Sequence, residues 1–190
     1  MNIITKTQCW LNNIIIAHNL CPFAKRERDR GSIRYCVDEH TEIEQALENL
    51  LMEFERLDQK ADIETTLFIL AQICQDFNDY LGFLEMANQL LIAQGYEGEY
   101  QLASFHPDYC FADSFENDPA NYTNRSPYPM LHIIREQSLE RALQNYPDPE
   151  LIPELNIEFC RTQGFDRMQQ KLADCLGEKN FFTIEKQKRD

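Results

Sequence analysis

The sequence lacks the short glycine motifs that hold nucleotide phosphates or expose a serine nucleophile. Its six glycines form neither G-x-G-x-x-G nor G-x-x-x-x-G-K, and no G-x-S-x-G turn occurs. The seven cysteines are odd in number and never spaced as C-x-x-C. Zinc ribbons and disulfide frameworks need closer or paired cysteines, so the sequence predicts reduced thiols and leaves any cofactor unknown.

Long apolar runs and positive charge are scarce as well. Asn12, Asn13 and His18 interrupt the apolar N-terminal segment, so no signal-peptide core or membrane span is expected. Eighteen lysines and arginines stand against 32 acidic residues, a formal net charge of −14. Such a surface repels phosphate backbones and anionic lipid, so we expect no nucleic-acid partner and no membrane partner. With reduced thiols, these features predict a cytoplasmic protein.

The composition that remains predicts one globular domain. The chain has 190 residues, 43% of them hydrophobic, which is enough for a core. We expect a single α/β domain over residues 1–177 and a charged tail over 178–190. Alternating strands and helices imply right-handed crossovers and a small, mostly parallel sheet flanked by helices, followed by a helical C-terminal half. The predicted strands are Ile33–Val37, Thr65–Leu70 and Tyr100–Phe105, and the predicted helices are 3–20, 41–57, 77–94, 130–145, 150–163 and 166–176.

A loop of about twenty residues after the third predicted strand is long enough to be functional or disordered. Its aromatic residues argue against disorder. His106 ends the strand, at the edge where parallel sheets bind ligands, so we predict it as a catalytic acid or base. Donors and acceptors later in the loop are candidate ligand-binding groups, although asparagine can also bond the loop's own backbone. These candidates are Tyr109, Asn121, Asn124 and Arg125.

The helix predicted over 130–145 places Arg135 in the middle of its apolar side and His132 at the margin. A buried arginine is costly unless it is paired. It would therefore either bind a ligand anion or pair with a loop carboxylate. His132 is predicted to assist catalysis, and Glu136 would meet it at i+4. Arg34 stands apart from a cluster of exposed cations, because it lies in a strand just beyond a turn, and is a further candidate for the anion.

Two further candidates concern a thiol and a metal. Cys21 follows the first helix and is placed at the edge of the predicted pocket, with burial as the more ordinary role of a free cysteine. His106, Asp108, His132 and Glu136 offer nitrogen and oxygen donors that would suit zinc, iron or manganese, but no spacing among them is diagnostic. We therefore assign no metal ligand.

Three segments resemble a family of bacterial proteins known only as a domain of unknown function. They are N-L-C-P-F-A (Asn19–Ala24), S-F-H-P-D-Y (Ser104–Tyr109) and N-Y-T-N-R-S-P-Y-P-M-L-H (Asn121–His132). The similarity runs from Trp10 to about Gly164. It implies that the three motifs belong together, and it supplies no activity, cofactor or catalytic residue.

Three functions are compatible with these residues. The first is an enzyme that acts on a small anionic metabolite, a carboxylate or phosphate, held by arginines beside a histidine. The second is a non-catalytic small-molecule sensor or binding protein that uses the same pocket. The third is a metal-dependent hydrolase built on His106, Asp108, His132 and Glu136. The oligomeric state does not follow from the sequence.

Overall fold

A computed structural model describes residues 2–144 and 146–177, and the predicted tail 178–190 lies outside the described residues. The fold is α/β, as predicted. Within the described ranges, one domain contains four strands and seven α-helices. The strands are β1 (Ile33–Asp38), β2 (Thr65–Leu70), β3 (Tyr100–Phe105) and β4 (Met130–Arg135). The helices are α1 (Ile3–Trp10), α2 (Ala24–Arg30), α3 (Ile43–Gln59), α4 (Phe77–Ala93), α5 (Glu136–Leu143), α6 (Ile152–Gln163) and α7 (Phe165–Leu176).

The sheet is mixed rather than mostly parallel. Its strand order is β1-β2-β4-β3, with β1 parallel to β2 and β4 antiparallel to both of its neighbours. The predicted β1–α3–β2 crossover is present. β3 does not pair with β2, because β4 lies between them. The antiparallel strand follows β3 through the loop 106–129, which reverses the chain at one edge of the sheet.

The helix predicted over 130–145 is wrong in its first half. Residues Met130–Arg135 form β4, and the helix begins only at Glu136. A short apolar run fits a strand and a buried helix equally well by periodicity, and here tertiary pairing on both sides decides for the strand. As a result, His132 and Arg135 are three positions apart on a strand and lie on opposite faces of the sheet rather than on one helical face. Although four positions apart, His132 and Glu136 do not lie on one helix and so do not form a helical i, i+4 pair.

The first helix also ends earlier than predicted. α1 continues as a π-helical segment over Leu11–Ile16, in which Ala17 N–H donates to Asn12 O at 3.0 Å. Asn2 caps the start, accepting a bond from Thr5 N–H at 2.8 Å. The chain then turns through Asn19, whose φ of 54° is in the left-handed region.

Two apolar layers cover the two faces of the sheet. On one face, Phe68, Leu131 and Ile133 pack against α3 and α4. On the other, Leu67, Ile69 and Met130 pack against residues of α1, α6 and α7. Alternation along β4 assigns Leu131 and Ile133 to the α3–α4 face and leaves His132 and Ile134 on the opposite face. The second face is where the candidate site lies.

Arg135 is engaged by backbone at the end of α3, on the α3–α4 side of the sheet. Its Nη2 donates to the carbonyls of Leu57 and Ile63, the latter at 3.1 Å. Its Nη1 lies 3.2 Å from the hydroxyl of Tyr100, and the guanidinium lies 5.6 Å from the centroid of that ring. The last carbonyls of a helix have no partner within the helix, and a cation there also complements the helix dipole. Arg135 thus joins the end of α3 to β4.

Among residues 2–144 and 146–177, no helix has both the length and the apolar character needed to cross a bilayer.

Replacing Arg135 by methionine should destabilise the protein. The substitution leaves the carbonyls of Leu57 and Ile63 without their donor, which we expect to cost about 1–3 kcal/mol of unfolding free energy. Urea denaturation of wild type and Arg135→Met measures this loss. Arg161→Met is the matched control, because the Arg161 side chain is 60% exposed where it bonds Asp118 at 2.8 Å, and its loss should cost much less. Equal, small losses in both variants would contradict the capping role.

Candidate functional site

A cavity of about 640 Å³ opens between the sheet, the first helix and the two short helices α2 and α5. Its floor is the sheet face that carries Leu67, Phe105, His132 and Ile134. Apolar side chains from the helical side close it above, and they include Trp10, Leu11, Ile15, Leu20, Cys21, Phe23 and Leu139. A volume of this size falls in the range of small-molecule sites, and a mostly apolar lining with a few polar groups is typical of them.

All three sequence motifs contribute residues to this cavity. Leu20, Cys21, Phe23 and Ala24 of the first motif line one wall, and His132, the last residue of the third motif, lies on the floor. The second motif contributes Phe105. The expectation that the three motifs belong together therefore has a structural counterpart, because chain segments more than 100 positions apart border the same space.

His132 is the polar group on the floor. Its Nε2 lies 2.6 Å from the hydroxyl oxygen of Thr65, and that oxygen lies 2.5 Å from Ile133 O. A threonine hydroxyl has one hydrogen, and a carbonyl can only accept. Both contacts are hydrogen bonds only if Thr65 donates to Ile133 O and His132 donates from Nε2. This assignment leaves Nδ1 of His132 as an acceptor.

Nδ1 of His132 is accessible from the cavity. No described residue forms a hydrogen bond with Nδ1. Among the described residues, the buried side-chain atoms that lack a partner do not include Nδ1, so this nitrogen is not fully enclosed by protein. Burial lowers the pKa of His132 to about 4, so the ring is neutral near pH 7. The site therefore offers a neutral hydrogen-bond acceptor, and His132 has no proton to donate from Nδ1.

Arginines surround the opening of the cavity. Arg26 and Arg30 on α2 line it with side chains that are 60% and 55% exposed, so they lie where it meets solvent. Arg141 on α5 lies on the same boundary. The contacts of Arg26 and Arg30 with Glu27, at 3.4 and 3.7 Å, are longer than hydrogen bonds. Neither side chain donates a hydrogen bond to another residue in the described part of the chain.

Cys21 and Glu64 are two further polar groups of the walls. Cys21 borders the cavity, and burial raises the pKa of its thiol, so it is a poor nucleophile at neutral pH. Glu64 precedes β2 and also lines the cavity. One oxygen, Oε1, is enclosed and has no hydrogen-bond partner among the described residues. The walls thus contain an unsatisfied acceptor besides His132.

His106 lies outside this cavity, and its two ring nitrogens are both occupied. Asp108 N–H donates to Nδ1 at 3.0 Å, which makes Nε2 the donor to Cys74 O at 3.0 Å. The ring is completely buried against Phe77 and Tyr80, with centroids 5.2 Å away. Burial lowers the pKa of His106. With no free nitrogen, His106 is a structural bridge between the loop and β2–α4, and its predicted acid–base role has no geometric support.

The four loop candidates also bond the loop itself. Asn121 accepts from Phe111 N–H at 3.1 Å and donates to Phe115 O at 2.8 Å, while Asn124 donates to Ser104 O at 3.0 Å. Arg125 donates to Tyr109 O at 3.1 Å and Glu116 O at 2.8 Å, and its guanidinium stacks 4.8 Å from the Tyr122 ring. The hydroxyl of Tyr109 lies 3.3 Å from that of Ser104. The structure therefore favours the backbone-bonding alternative for these residues.

Arg135 also borders the cavity, but its guanidinium is bonded to backbone carbonyls. The remaining candidates are dispersed. Arg34 forms a bidentate pair with Glu53 at 2.6 and 3.0 Å, on the α3 side of the sheet. Glu136 begins α5, where its N–H donates to Glu99 O, and it does not line the cavity. Within residues 2–144 and 146–177, no three His, Cys, Asp or Glu side chains are grouped so as to hold a metal ion. The four-residue metal set is thus not assembled, since His106 is also fully bonded.

Comparison with known proteins supports the resemblance. A family model described as a protein of unknown function, DUF1415, matches residues 2–170. The chain belongs to the DUF1415 family. The searches of curated proteins and of solved structures gave no match. Membership in DUF1415 supplies no activity, so the function of this chain has to be argued from its site.

Sequence reasoning missed the arginines at the opening and the partner of His132. Arg26 and Arg30 belong to the cluster K-R-E-R-D-R-G-S-I-R, which composition alone marks as a solvated turn. A cation that serves a cavity opening must itself remain partly exposed, so its pattern does not differ from that of a surface residue. Thr65 begins a strand and gives no signal of its own, because its role depends on β4 lying beside it.

The lowered pKa of His132 makes the contribution of this residue to the free energy of unfolding depend on pH. Between pH 6.5 and about 4, the unfolded chain takes up a proton at this histidine and the folded chain does not, so lowering the pH through this window destabilises the fold. Above pH 6.5 this contribution is fully present. His132→Gln lacks it, so wild type should lose on the order of 2 kcal/mol more than the variant between pH 7 and 4.5.

Denaturant unfolding of both proteins at several pH values tests this, because all other titrating groups are common to the pair. Parallel pH profiles for the two proteins would show that His132 protonates normally in the folded state. Long-range ¹H–¹⁵N spectra provide a second check, in which the Nε2–H tautomer is expected.

Proposed function

We propose that this chain binds a small amphipathic anion, with the apolar part of the ligand inside the cavity and its carboxylate or phosphate at the opening. The observation that carries the proposal is the order of groups along the cavity. An apolar chamber with one neutral acceptor on its floor leads to an opening bordered by Arg26, Arg30 and Arg141. The anionic ligand class expected from the sequence is retained, but the arginines that serve it are different ones.

The apolar lining supports a ligand with a hydrocarbon or aromatic body. Burying such a body gains about 25 cal/mol for each Å² of apolar surface removed from water. His132 Nδ1 and Glu64 Oε1 add two acceptors to the inner wall. A ligand that presents an O–H or N–H group to either acceptor would satisfy it, and one lacking such a group would leave it unpaired at a cost. Specificity would arise at this point.

The arginines support an anionic head group. A guanidinium has five N–H donors arranged to match a carboxylate or phosphate. Arg26 and Arg30 contact Glu27 only at ion-pair distance, so their donors remain available. Arg141 donates to Gln137 O at 3.2 Å and to the Ser138 hydroxyl at 3.0 Å, which holds it along α5 beside the opening. Helices α2 and α5 thus present cations from two sides.

A second candidate is catalysis in the same cavity. Nδ1 of His132 can accept a proton from a bound substrate, and it is the one geometric feature that favours an enzyme. A base whose pKa is about 4 is weak at neutral pH. Binding therefore has the stronger support, and turnover of a panel of carboxylate and phosphate esters by wild type, compared with His132→Gln, distinguishes the two.

Filling the cavity should weaken binding. Ala103 lies opposite His132 in the sheet and lines the cavity, so Ala103→Leu places a larger side chain in the ligand's space. With 1-anilinonaphthalene-8-sulfonate as the probe, we expect the dissociation constant to rise about tenfold or more. Trp10, the only tryptophan, lines the cavity and reports binding by fluorescence.

The matched control is Ala93→Leu, an exposed position at the end of α4 on the other face of the sheet. This variant should bind the probe as wild type does. Equal affinities of wild type and Ala103→Leu would place the probe elsewhere and remove the support for this cavity. Thermal melts of both variants confirm that the fold is intact.

The opening arginines should matter only for charged ligands. Arg26→Gln and Arg30→Gln are each expected to weaken binding of the sulfonate probe about two- to fivefold, since partly exposed charges contribute modestly. Binding of uncharged N-phenyl-1-naphthylamine should not change. Lys25→Gln is the control on the same helix, because Lys25 does not line the cavity. If both probes weaken equally, the arginines shape the cavity without binding the anion.

A further inference from the structure

Two cysteines from opposite ends of the chain lie in direct contact. The sulfur of Cys9 on α1 is 3.0 Å from that of Cys175 on α7, although the residues are 166 positions apart. All seven cysteines are free thiols. In the described part of the chain, which contains all seven, no other two cysteine sulfurs are hydrogen-bonded to each other. A contact this short requires little movement to bring the sulfurs to bonding distance.

The two thiols differ in access and surroundings. Cys175 is 1% exposed, whereas Cys9 is partly exposed. Asn13, one turn further along the same helix, donates from its side-chain amide to the Cys9 sulfur at 3.3 Å. Burial, followed by the bond with Cys9, raises the pKa of Cys175 to about 12. Cys9 is therefore the sulfur that a small reagent can reach, and Cys175 is a protonated thiol held against it.

We propose that Cys9 and Cys175 form an oxidation site at which a small hydroperoxide, such as hydrogen peroxide, converts the two thiols into a disulfide. In the first step Cys9 attacks the peroxide, the O–O bond breaks, and Cys9–SOH and water form. In the second step the Cys175 sulfur attacks Cys9–SOH, the S–O bond breaks, and the S–S bond forms. The hydroxyl leaves as water with the Cys175 proton. Two thiols and one hydrogen peroxide give one disulfide and two waters.

The disulfide would link the two ends of the domain. α1 and α7 pack together on the second face of the sheet, and Cys9 directly precedes Trp10, which lines the cavity. A covalent bond between the helices would fix that wall and close a loop of more than 160 residues. Closing a loop of this length restricts the unfolded chain, so the oxidised protein should melt at a higher temperature than the reduced protein. This inference does not depend on the proposed ligand.

Thiol counting on the whole chain tests the proposal. Reduced protein is treated with a stoichiometric amount of hydrogen peroxide, denatured and labelled with a maleimide for intact-mass measurement. Wild type should fall from seven free thiols to five, with the Cys9 and Cys175 peptides joined in a non-reduced digest. Dithiothreitol should restore all seven.

Two matched variants make the result specific. Cys9→Ser should keep its remaining thiols and show no change in melting temperature with peroxide. Cys110→Ser, also partly exposed and far from the pair in sequence, should still lose two. If Cys9→Ser fails to fold by circular dichroism, Cys9→Ala takes its place. Wild type that keeps seven thiols under peroxide that oxidises glutathione in the same tube would overturn the proposal, as would a disulfide between other cysteines.

Discussion

The hydrogen-bonding of β4 between β2 and β3 is the interaction on which the rest of the structure depends. Without β4, the parallel pair β1–β2 and the strand β3 would present unpaired backbone groups to one another. Tyr80 completes this arrangement from α4, since its hydroxyl donates to Met130 O at 2.9 Å and accepts from Phe105 N–H at 3.0 Å. One side chain thus fixes the first residue of β4 beside the last residue of β3.

Inserting β4 requires the chain to reverse after β3, and the loop residues serve that reversal. Residue 106 and residues 124 and 126 are bonded through backbone, with His106 N–H donating to Asn124 O and Ser126 N–H to His106 O. The side chains of Asn121 and Arg125 then bond carbonyls further out in the loop. The polar backbone groups of the loop thereby find hydrogen-bond partners within it, as buried backbone groups must. The side chains of Asn121, Asn124 and Arg125 therefore have a structural role in this loop.

Much of the fold could be predicted because it is local. The strands Thr65–Leu70 and Tyr100–Phe105 and the helices α3 and α4 follow from apolar periodicity and lie where it predicts them. β4 could not be predicted in this way, since a six-residue apolar run acquires its identity from the strands on either side. Because the sequence pattern predicts a helix over Met130–Arg135, the faces predicted for His132 and Arg135 are also wrong, since those faces depend on strand alternation. Of the predicted site residues, Cys21, His132 and Arg135 border the cavity, and the guanidinium of Arg135 is bonded to backbone carbonyls.

The arginines show why burial misleads when a site is inferred from sequence. The sequence marks Arg135 by its apolar surroundings and Arg34 by its place in a strand just beyond a turn, and a cation held inside the fold must be compensated there. Both are: Arg34 by Glu53 and Arg135 by carbonyls. An arginine that binds an external anion needs N–H groups that are not hydrogen-bonded within the protein, and such a residue is exposed. Arg26 and Arg30 meet that condition at the cavity opening.

The charge distribution then sets how a ligand would approach. The chain carries a formal net charge of −14, so an anion is repelled at distances beyond the local cations, and this repulsion is screened within about 10 Å at 0.1 M salt. Close to the opening, the guanidinium groups of α2 and α5 are the nearest cations, and Glu27 is a carboxylate beside Arg26 and Arg30. Inside, His132 is neutral and Glu64 presents an unsatisfied acceptor oxygen, so neither group attracts an anionic head group. Polarity along the cavity therefore favours one orientation, with the apolar part innermost and the charge held at the surface, where it need not be desolvated.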